Sequence, residues 1–420
     1  MKKIFNVLFI LLTIILCAFC FSSCTNNEFK FGDYRYTVEN DEVTITKYIG
    51  NDREVSIPES INGMPVRAIG TSAFLNRDKM RSVTIPDSVV RIGSLAFAKC
   101  YALEQVTLGR GVREIDFSPF SFCEKINYNK YENGCYVGNS ENPYLALVSM
   151  ESEDVETVSI HANTVVICGS AMENCGSIRE LVIPNSVVSI GSFAFRYCSL
   201  ERVYIPKSVM SIGLLAFGDS ISNFVVSDEN PNFKSVDGSL FSRDGKRLIK
   251  YATGQDVSFY SIPDGTVIVE ENAFANATHL NEVVVADSVE EIGHSAFLHC
   301  EDLRDVQLGN SLKTIEGGAF GFCYSLTEIT IPDSVENISY SVFSYCKNLE
   351  SAVIGSGVIS MHTDVFMGCD ALGSVTFRDP DGWEVITAYS FISKKMDVSD
   401  PTKNAEYLTG EYSRYYWNKK

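Results

Sequence analysis

The sequence predicts an α/β repeat solenoid, with a parallel concave β-sheet on one side and short turns or helical turns on the convex side. Three observations predict this fold. Apolar residues recur with a 23-residue period, the residues around them alternate as in a half-buried strand, and turn-forming residues follow at fixed positions. Two segments that interrupt the period are predicted to be hairpin insertions.

The repeat is clearest in two neighbouring segments. Residues 303–325 read LRDVQLGNSLKTIEGGAFGFCYS and residues 326–348 read LTEITIPDSVENISYSVFSYCKN, with apolar residues at unit positions 1, 4, 6, 10, 13, 17, 18 and 21. A single unit cannot cover its own apolar face, so stacked neighbours build a continuous core. A longer first unit runs over about residues 52–79, and a partial last unit starts at Leu372. The complete units between them begin at Met80, Leu103, Val155, Ile178, Leu200, Val257, Leu280, Leu303, Leu326 and Leu349.

Each unit contains residues that end its strand and residues that form its turns. Positions 4 and 6 alternate with polar residues, which is typical of a strand with one buried face. Proline at position 7, as at Pro184 and Pro332, cannot donate an amide hydrogen and ends the strand. Asp-Ser or Asn-Ser then supplies a turn, and a segment ending in Ala-Phe, as at Ala296-Phe297, predicts a helical turn.

The pattern V-x-I-P-x-S-V-x-x-I-G-x-x-A-F-x-x-C stands almost whole in residues 182–198 and 283–300. It resembles the BspA-like leucine-rich-repeat family, and the similarity covers about residues 52–378. The resemblance implies a bacterial cell-surface protein of a family whose members adhere to host matrix proteins or to other microbes.

The N-terminal residues have the pattern of a targeting segment. Lys2 and Lys3 precede an apolar run, and Ser22-Ser23-Cys24 follows it, which predicts a signal peptide over residues 1–23. The small residues before Cys24 resemble a lipobox, which implies lipidation of that cysteine; an uncleaved membrane anchor is the alternative. Thr25 after the cysteine, by resemblance to Gram-negative lipoproteins, permits export to the outer membrane. We therefore expect a lipid-anchored protein at the cell surface.

Several segments lie outside the regular units. Residues 24–51 are predicted to form a tether and an N-terminal hairpin cap. The insertions span about residues 126–154 and 221–256, and each is either a binding protrusion or an elaboration with no separate role. Residues 379–420 lose the period but contain Trp383 and Trp417. They predict a C-terminal cap, with an aromatic ligand site as the alternative.

Charge and cysteine content narrow the function. The net charge of −18 argues against nucleic acid as a partner, because an acidic surface repels phosphates. Eight cysteines share unit position 21, where a recurrent small apolar residue predicts a packing ladder rather than a disulfide framework. These are Cys100, Cys123, Cys175, Cys198, Cys300, Cys323, Cys346 and Cys369.

Catalytic and metal-binding patterns are missing from the sequence. It has no H-E-x-x-H, G-x-S-x-G, P-loop or zinc-type cysteine spacing, so we expect no enzyme, no metal site and no cofactor. An enzyme whose chemistry lies in an insertion is one alternative. The histidines are interpreted as exposed loop residues: His161, His279, His294, His299 and His362.

Unit positions 3 and 5 flank the buried strand residue and are predicted to line the concave sheet. They place Arg202, Tyr204 and Phe259 in the central units, residue types that are enriched in interface hot spots. Glu282, Asp305 and Glu328 follow as an acidic stripe suited to a basic partner. Alternatively, all six are ordinary solvent-facing strand residues.

The function predicted from these features is binding of protein or glycan ligands on host or microbial surfaces by a monomer. The membrane would be contacted only through the lipid anchor. A periplasm-facing structural lipoprotein that organises envelope components is the alternative.

Overall fold

The computed structural model describes residues 28–154, 156–387 and 393–420. The predicted signal peptide and Cys24 lie outside these residues. The chain divides into two compact units, the first containing residues up to Val112 with Pro119–Asn127, and the second containing Arg113–Ser118 with Tyr128–Lys420. Among the described residues, no helix has the length and apolar character needed to cross a membrane.

The first unit combines an antiparallel start with two parallel sheets. Its N-terminal strands pair antiparallel, and the third of them pairs in parallel with a later strand. These strands are Phe29–Phe31, Tyr34–Glu39, Glu42–Tyr48, Ser60–Ile61, Met64–Ile69 and Arg91–Ile92. A separate parallel sheet contains Glu54–Ser56, Ser82–Thr84 and Gln105–Thr107, in which the central valines Val55, Val83 and Val106 are in register.

The second unit contains three small parallel sheets of three strands each. We call these nine strands the long strands, because each has three or four residues. The second residue of every long strand is buried, and in four of the nine both of its neighbours are exposed, because successive side chains of a strand point to opposite faces. The sheets contain Glu180–Val182, Arg202–Ile205 and Asn223–Val226; Phe259–Ser261, Glu282–Val284 and Asp305–Gln307; and Glu328–Thr330, Ser351–Ile354 and Ser374–Phe377.

A second set of strands in this unit has only two residues each, and these short strands also pair in parallel. They are Val166–Ile167, Ser189–Ile190, Ser211–Ile212, Ile268–Val269, Glu291–Ile292, Thr314–Ile315, Asn337–Ile338 and Ser360–Met361. Two antiparallel segments precede runs of short strands and pair with them. The first segment contains Asn129–Tyr131, Gly134–Val137 and Ala146–Met150, and the second contains Phe233–Val236, Ser239–Ser242 and Arg247–Lys250.

The segment that ends in Ala-Phe is a turn that bonds to the next coil. The amides of Asn272, Phe274 and Asn276 donate to carbonyls of that coil at 3.0, 2.7 and 2.9 Å. The amides of Ala273 and Ala275 between them bond backward, within the same turn. Asn272 and Asn276 have φ of 57° and 63°, which no α-helix contains. The chain is therefore a β-solenoid with almost no helix, and the predicted α/β class overstates its helix content.

Stacked rings run through the core of the second unit. The phenylalanines at unit position 18 stack with centroid distances of 4.5 to 5.5 Å, in the order Phe274, Phe297, Phe320, Phe343 and Phe366. The position-21 thiols lie beside them. Those of Cys300, Cys323, Cys346 and Cys369 donate to a backbone carbonyl of the preceding coil, at 3.0 to 3.3 Å. The cysteines of the described residues are free and buried.

The C-terminal residues cover the last short strand. Strand Tyr415–Lys419 pairs antiparallel with Ser360–Met361 and with Trp383–Thr387, which also pairs with Ser393–Lys395. The helix α1, Pro401–Thr409, begins at Asp400, whose carboxylate accepts from two amides of the first turn. Trp383 and Trp417 are buried, and their indole nitrogens donate to backbone carbonyls at 3.1 and 3.2 Å. Both indoles therefore belong to the core.

Candidate functional site

The six predicted binding residues all lie on the long strands of the second unit, with their side chains on the solvent side of the sheets. We call this surface the outward face, defined by the first and third residues of each long strand, which are exposed or half-buried. Arg202 and Tyr204 share one strand. Phe259, Glu282 and Asp305 are direct neighbours across the next sheet, and Glu328 begins the sheet after it. The structure thus aligns three of the six and distributes the other three over two neighbouring sheets.

An apolar row surrounds Tyr204. Val182, Tyr204 and Val225 are in register on three adjacent strands, and Val182 is 65% exposed. The Arg202 guanidinium donates to the Tyr204 hydroxyl at 3.5 Å, a contact that raises the pKa of Arg202. Phe259 on the following sheet is 51% exposed. Exposed aromatic and valine side chains beside a guanidinium can pack against a partner and bond to its carboxylates.

The acidic residues among the six predicted ones are Glu282, Asp305 and Glu328, all on the outward face. Among the described residues, no ion pair includes Glu282, Asp305 or Glu328, whereas other carboxylates on the surface are paired. Their negative charge is therefore available to an approaching cation or to hydroxyl donors.

Two clefts open on the outward face, and both contain residues that the sequence did not indicate. One has a volume of about 520 Å³ and includes Asp305, Glu328 and Arg378 in its lining. The other, of about 300 Å³, adjoins Val225 and is lined by Lys234 and Arg243, which have no ion pair in the described part of the chain. Both cations of the second cleft lie in the predicted insertion 221–256, where no repeat pattern could relate them to a strand.

A second aromatic group lies on the turns. His299, Phe322 and Tyr345 share unit position 20 and stack at 4.5 and 4.8 Å between ring centroids. All three have φ close to 60°, where a non-glycine residue costs about 1–2 kcal/mol. The sequence suggests an exposed loop residue at His299, and only its alignment with Phe322 and Tyr345 at unit position 20 could have indicated the stack.

The described residues contain no group of three His, Cys, Asp or Glu side chains that could hold a metal ion. Burial raises the pKa of the Cys300 thiol to about 12 and also raises that of Cys168, so these thiols remain protonated at neutral pH. The arrangement is suited to non-covalent contacts on an exposed sheet.

Parallel strands in repeated coils, with variable residues on the outward face, define a leucine-rich-repeat solenoid. The model of the BspA type leucine rich repeat region matches residues 47–141, 149–259 and 267–396 in six copies. The chain belongs to the BspA-type leucine-rich-repeat family. No protein of curated function gives a significant match to it.

Solved structures of bacterial leucine-rich-repeat proteins are similar to the chain. A leucine rich cell surface protein of Faecalibacterium prausnitzii is 27% identical with a TM-score of 0.54, covering 85% of this chain and 96% of that one. The pneumococcal vaccine antigen PcpA is 23% identical with a TM-score of 0.49, covering 85% and 88%. A leucine-rich repeat protein of Eubacterium ventriosum is 19% identical with a TM-score of 0.47, covering 82% and 83%.

Proposed function

We propose that the chain is a cell-surface lipoprotein that binds protein or other macromolecular ligands, in adhesion to host matrix or to other microbes, through its outward face. The observation that carries this proposal is the row Val182, Tyr204 and Val225 with Arg202 beside it. Tyrosine and arginine are residue types that hot spots of protein interfaces favour, and the two valines add apolar surface beside them. Similarity to the Faecalibacterium cell surface protein supports the placement on the cell surface.

The finer architecture is part of the same proposal. We infer that a 23-residue segment is the structural unit and that residues 126–154 and 221–256 are hairpin insertions into the array. Strand partners such as Val283 and Val306 occupy the same position in consecutive segments of this length, which supports the unit. The antiparallel strands within both segments support the insertions. In the second segment Asn223–Val226 still pairs in parallel with Arg202–Ile205, so the antiparallel part begins at Phe233.

The binding surface is tested by capture with the full mature protein. Host matrix proteins, other microbial surfaces and envelope extract are offered to the wild type and to a triple variant, Arg202→Ala, Tyr204→Ala and Phe259→Ala. We expect the variant to lose at least tenfold in affinity, about 1.4 kcal/mol. The control variant Met210→Ala, Leu214→Ala and Ile359→Ala removes exposed apolar side chains outside the outward face and should bind normally. Equal capture by both variants would refute the assignment of the outward face.

The anchor and the placement have their own tests. Cys24→Ala should abolish labelling by an alkyne fatty acid and block cleavage of the predicted signal peptide. Protease treatment of intact cells should remove the wild-type protein. Protection from the protease, together with crosslinks to envelope components alone, would instead favour the periplasm-facing structural role.

A further inference from the structure

A lysine, a cysteine and a glutamate meet at the first antiparallel segment. Lys130 on its first strand lies directly opposite Cys135 on its second strand. The Lys130 ammonium donates to the Cys135 sulfur, with 3.1 Å between nitrogen and sulfur, and to the Glu151 carboxylate at 2.7 Å. Glu151 directly follows the third strand, which ends at Met150. We call these three residues the lysine–cysteine site.

The surroundings of the Cys135 sulfur differ from those of the position-21 thiols. The thiols of Cys300 and Cys346, for example, donate to backbone carbonyls in the core. The Cys135 sulfur instead accepts from a cation, although the residue is only 4% exposed. Reactive cysteines lie in electropositive surroundings, whereas cysteines buried among apolar groups are inert. Cys135 therefore has the environment of a reactive cysteine.

The Lys130 side chain is held against this sulfur from two ends. The strand register fixes its Cα opposite that of Cys135, and the Glu151 carboxylate fixes its terminal nitrogen. The separation of 3.1 Å lies within the range of about 3–3.5 Å over which positioned atoms react. The lysine side chain is 46% exposed, so a molecule as small as hydrogen peroxide can reach the contact.

We propose that the lysine–cysteine site is a modification site, at which hydrogen peroxide joins the Lys130 nitrogen to the Cys135 sulfur as a sulfenamide. In the first step the sulfur attacks the peroxide. An S–O bond forms, the O–O bond breaks, and hydroxide leaves with the thiol proton as water. The sulfur is oxidised to a sulfenic acid and the peroxide is reduced.

The second step needs no further oxidant. Glu151 accepts a proton from the Lys130 ammonium, and the neutral amine attacks the sulfenic sulfur. The S–N bond forms, the S–O bond breaks, and hydroxide leaves with a proton of the amine as a second water. In total, one thiol, one amine and one peroxide give one sulfenamide and two waters. Thiol reductants reverse the modification, because a thiolate attacks the sulfur and releases the amine.

The new bond fastens an edge strand to its neighbour. Asn129–Tyr131 is the outermost strand of its sheet and pairs with Gly134–Val137. Strands with few partners open locally at a low free energy, so a covalent bond at Lys130 protects this hairpin from opening. The inference goes beyond the proposed function and does not depend on it, because the lysine–cysteine site lies outside the outward face.

Intact-mass spectrometry and tryptic mapping of the full mature protein test the proposal, after treatment with hydrogen peroxide at pH 9. An alkaline pH is chosen because Glu151 raises the pKa of Lys130 and only the neutral amine attacks. We expect the intact mass to fall by two hydrogens and trypsin to stop cleaving after Lys130. A thiol reductant should restore both the mass and the cleavage.

Two variants separate the crosslink from simple oxidation. Lys130→Arg keeps a positive charge beside Glu151 but removes the nucleophilic amine. It should yield at least tenfold less of the product that lacks two hydrogens, and Cys135 should gain oxygen instead. Lys125→Arg changes an exposed lysine nearby in the sequence and should crosslink like the wild type.

Three outcomes would overturn the proposal. The first is the loss of two hydrogens with normal cleavage after Lys130, which indicates a disulfide. The second is addition of oxygen to Cys135, or no reaction, in the wild type without any crosslink. The third is equal crosslinking of the wild type and Lys130→Arg.

Discussion

The thiol of Cys346 donates a hydrogen bond to the backbone carbonyl of Phe320, with 3.1 Å between sulfur and oxygen. The two residues come from adjacent coils, and Cys323 and Cys369 repeat the relationship with Phe297 and Phe343. Position 21 therefore requires a small side chain that packs in the core and also donates a hydrogen bond. Cysteine meets both requirements, which explains its recurrence better than apolar character alone.

Replacing Cys346 with alanine should lower the free energy of unfolding by about 1–2 kcal/mol, because a buried hydrogen bond and the sulfur volume are both lost. Urea denaturation followed by circular dichroism measures the change. Asn348→Ala, an exposed turn residue two positions later, is the control and should cost less than about 0.5 kcal/mol. Equal effects of the two substitutions would contradict a structural role for the thiol.

The buried thiols should make stability depend on alkaline pH. An unfolded thiol has a pKa near 8.5, whereas burial raises the pKa of Cys300 to about 12. The folded state holds its proton longer, so this contribution to stability is complete below about pH 8.5 and is lost as pH rises toward 12. The loss should reach up to about 1.4 kcal/mol per pH unit for each such thiol. Urea midpoints between pH 7 and 9, below the pKa of about 10 of an unfolded tyrosine, measure this loss, and Cys300→Ala should flatten the slope. If Cys300→Ala leaves the dependence of stability on pH unchanged, the Cys300 thiol is not its source.

Two tyrosines begin equivalent ring stacks but differ at their hydroxyls. Tyr48 stacks on Phe74 and donates to the Asp52 carboxylate at 2.9 Å. Tyr251 stacks on Phe274, and its buried hydroxyl has no partner among the described residues. Because an unsatisfied buried hydroxyl is costly, Tyr251→Phe should leave stability unchanged or raise it by about 1 kcal/mol.

Tyr48→Phe is the matched comparison and should lower stability by about 1 kcal/mol, because it leaves Asp52 without its donor. Thermal and urea unfolding of both variants provide the measurement. The interpretation fails if Tyr251→Phe destabilises the protein as much as Tyr48→Phe does.

Gly355 is required by close approach of two coils. A Cβ atom at this position would lie 2.3 Å from the carbonyl oxygen of Pro332. Gly355→Ala should therefore force a backbone shift and cost about 2 kcal/mol or more. Gly373→Ala, where the nearest atoms are 4.0 Å away, should cost little. Soluble expression and urea midpoints of the two variants provide the measurement. A Gly355→Ala variant at least as stable as Gly373→Ala would contradict the prediction.

The sequence predicts the side-chain pattern better than the backbone path. Alternation of apolar and polar residues around Val283 and Val306 predicts the strands, because a strand with one buried face has apolar residues at every second position. The segment around Phe274 was predicted as a helical turn, since Ala-Phe suits both a helical turn and the left-handed turn that forms. The choice between them depends on hydrogen bonds to the following coil, which the local sequence does not encode.

The sequence likewise predicts only part of the candidate site. Positions 3 and 5 gave Arg202, Tyr204 and Phe259 because exposure follows from the strand period. The break between the sheets of long strands after Asp305–Gln307 was not predicted, although Leu308-Gly309 and Leu108-Gly109 each follow the last strand of a three-stranded sheet, a correlation that only the strand pairing reveals. Arg378 lies 45 residues after Asp333, a separation at which no local sequence pattern indicates an ion pair.

The pairing of Tyr415–Lys419 with Ser360–Met361 has a consequence for self-association. A parallel β-array can in principle be extended without limit, since each coil offers the next the same row of donors and acceptors. The antiparallel strand occupies that row and runs against the direction of the array, so another molecule cannot continue it in register. Tyr415–Lys419 therefore blocks parallel extension of the array by a second molecule at Ser360–Met361.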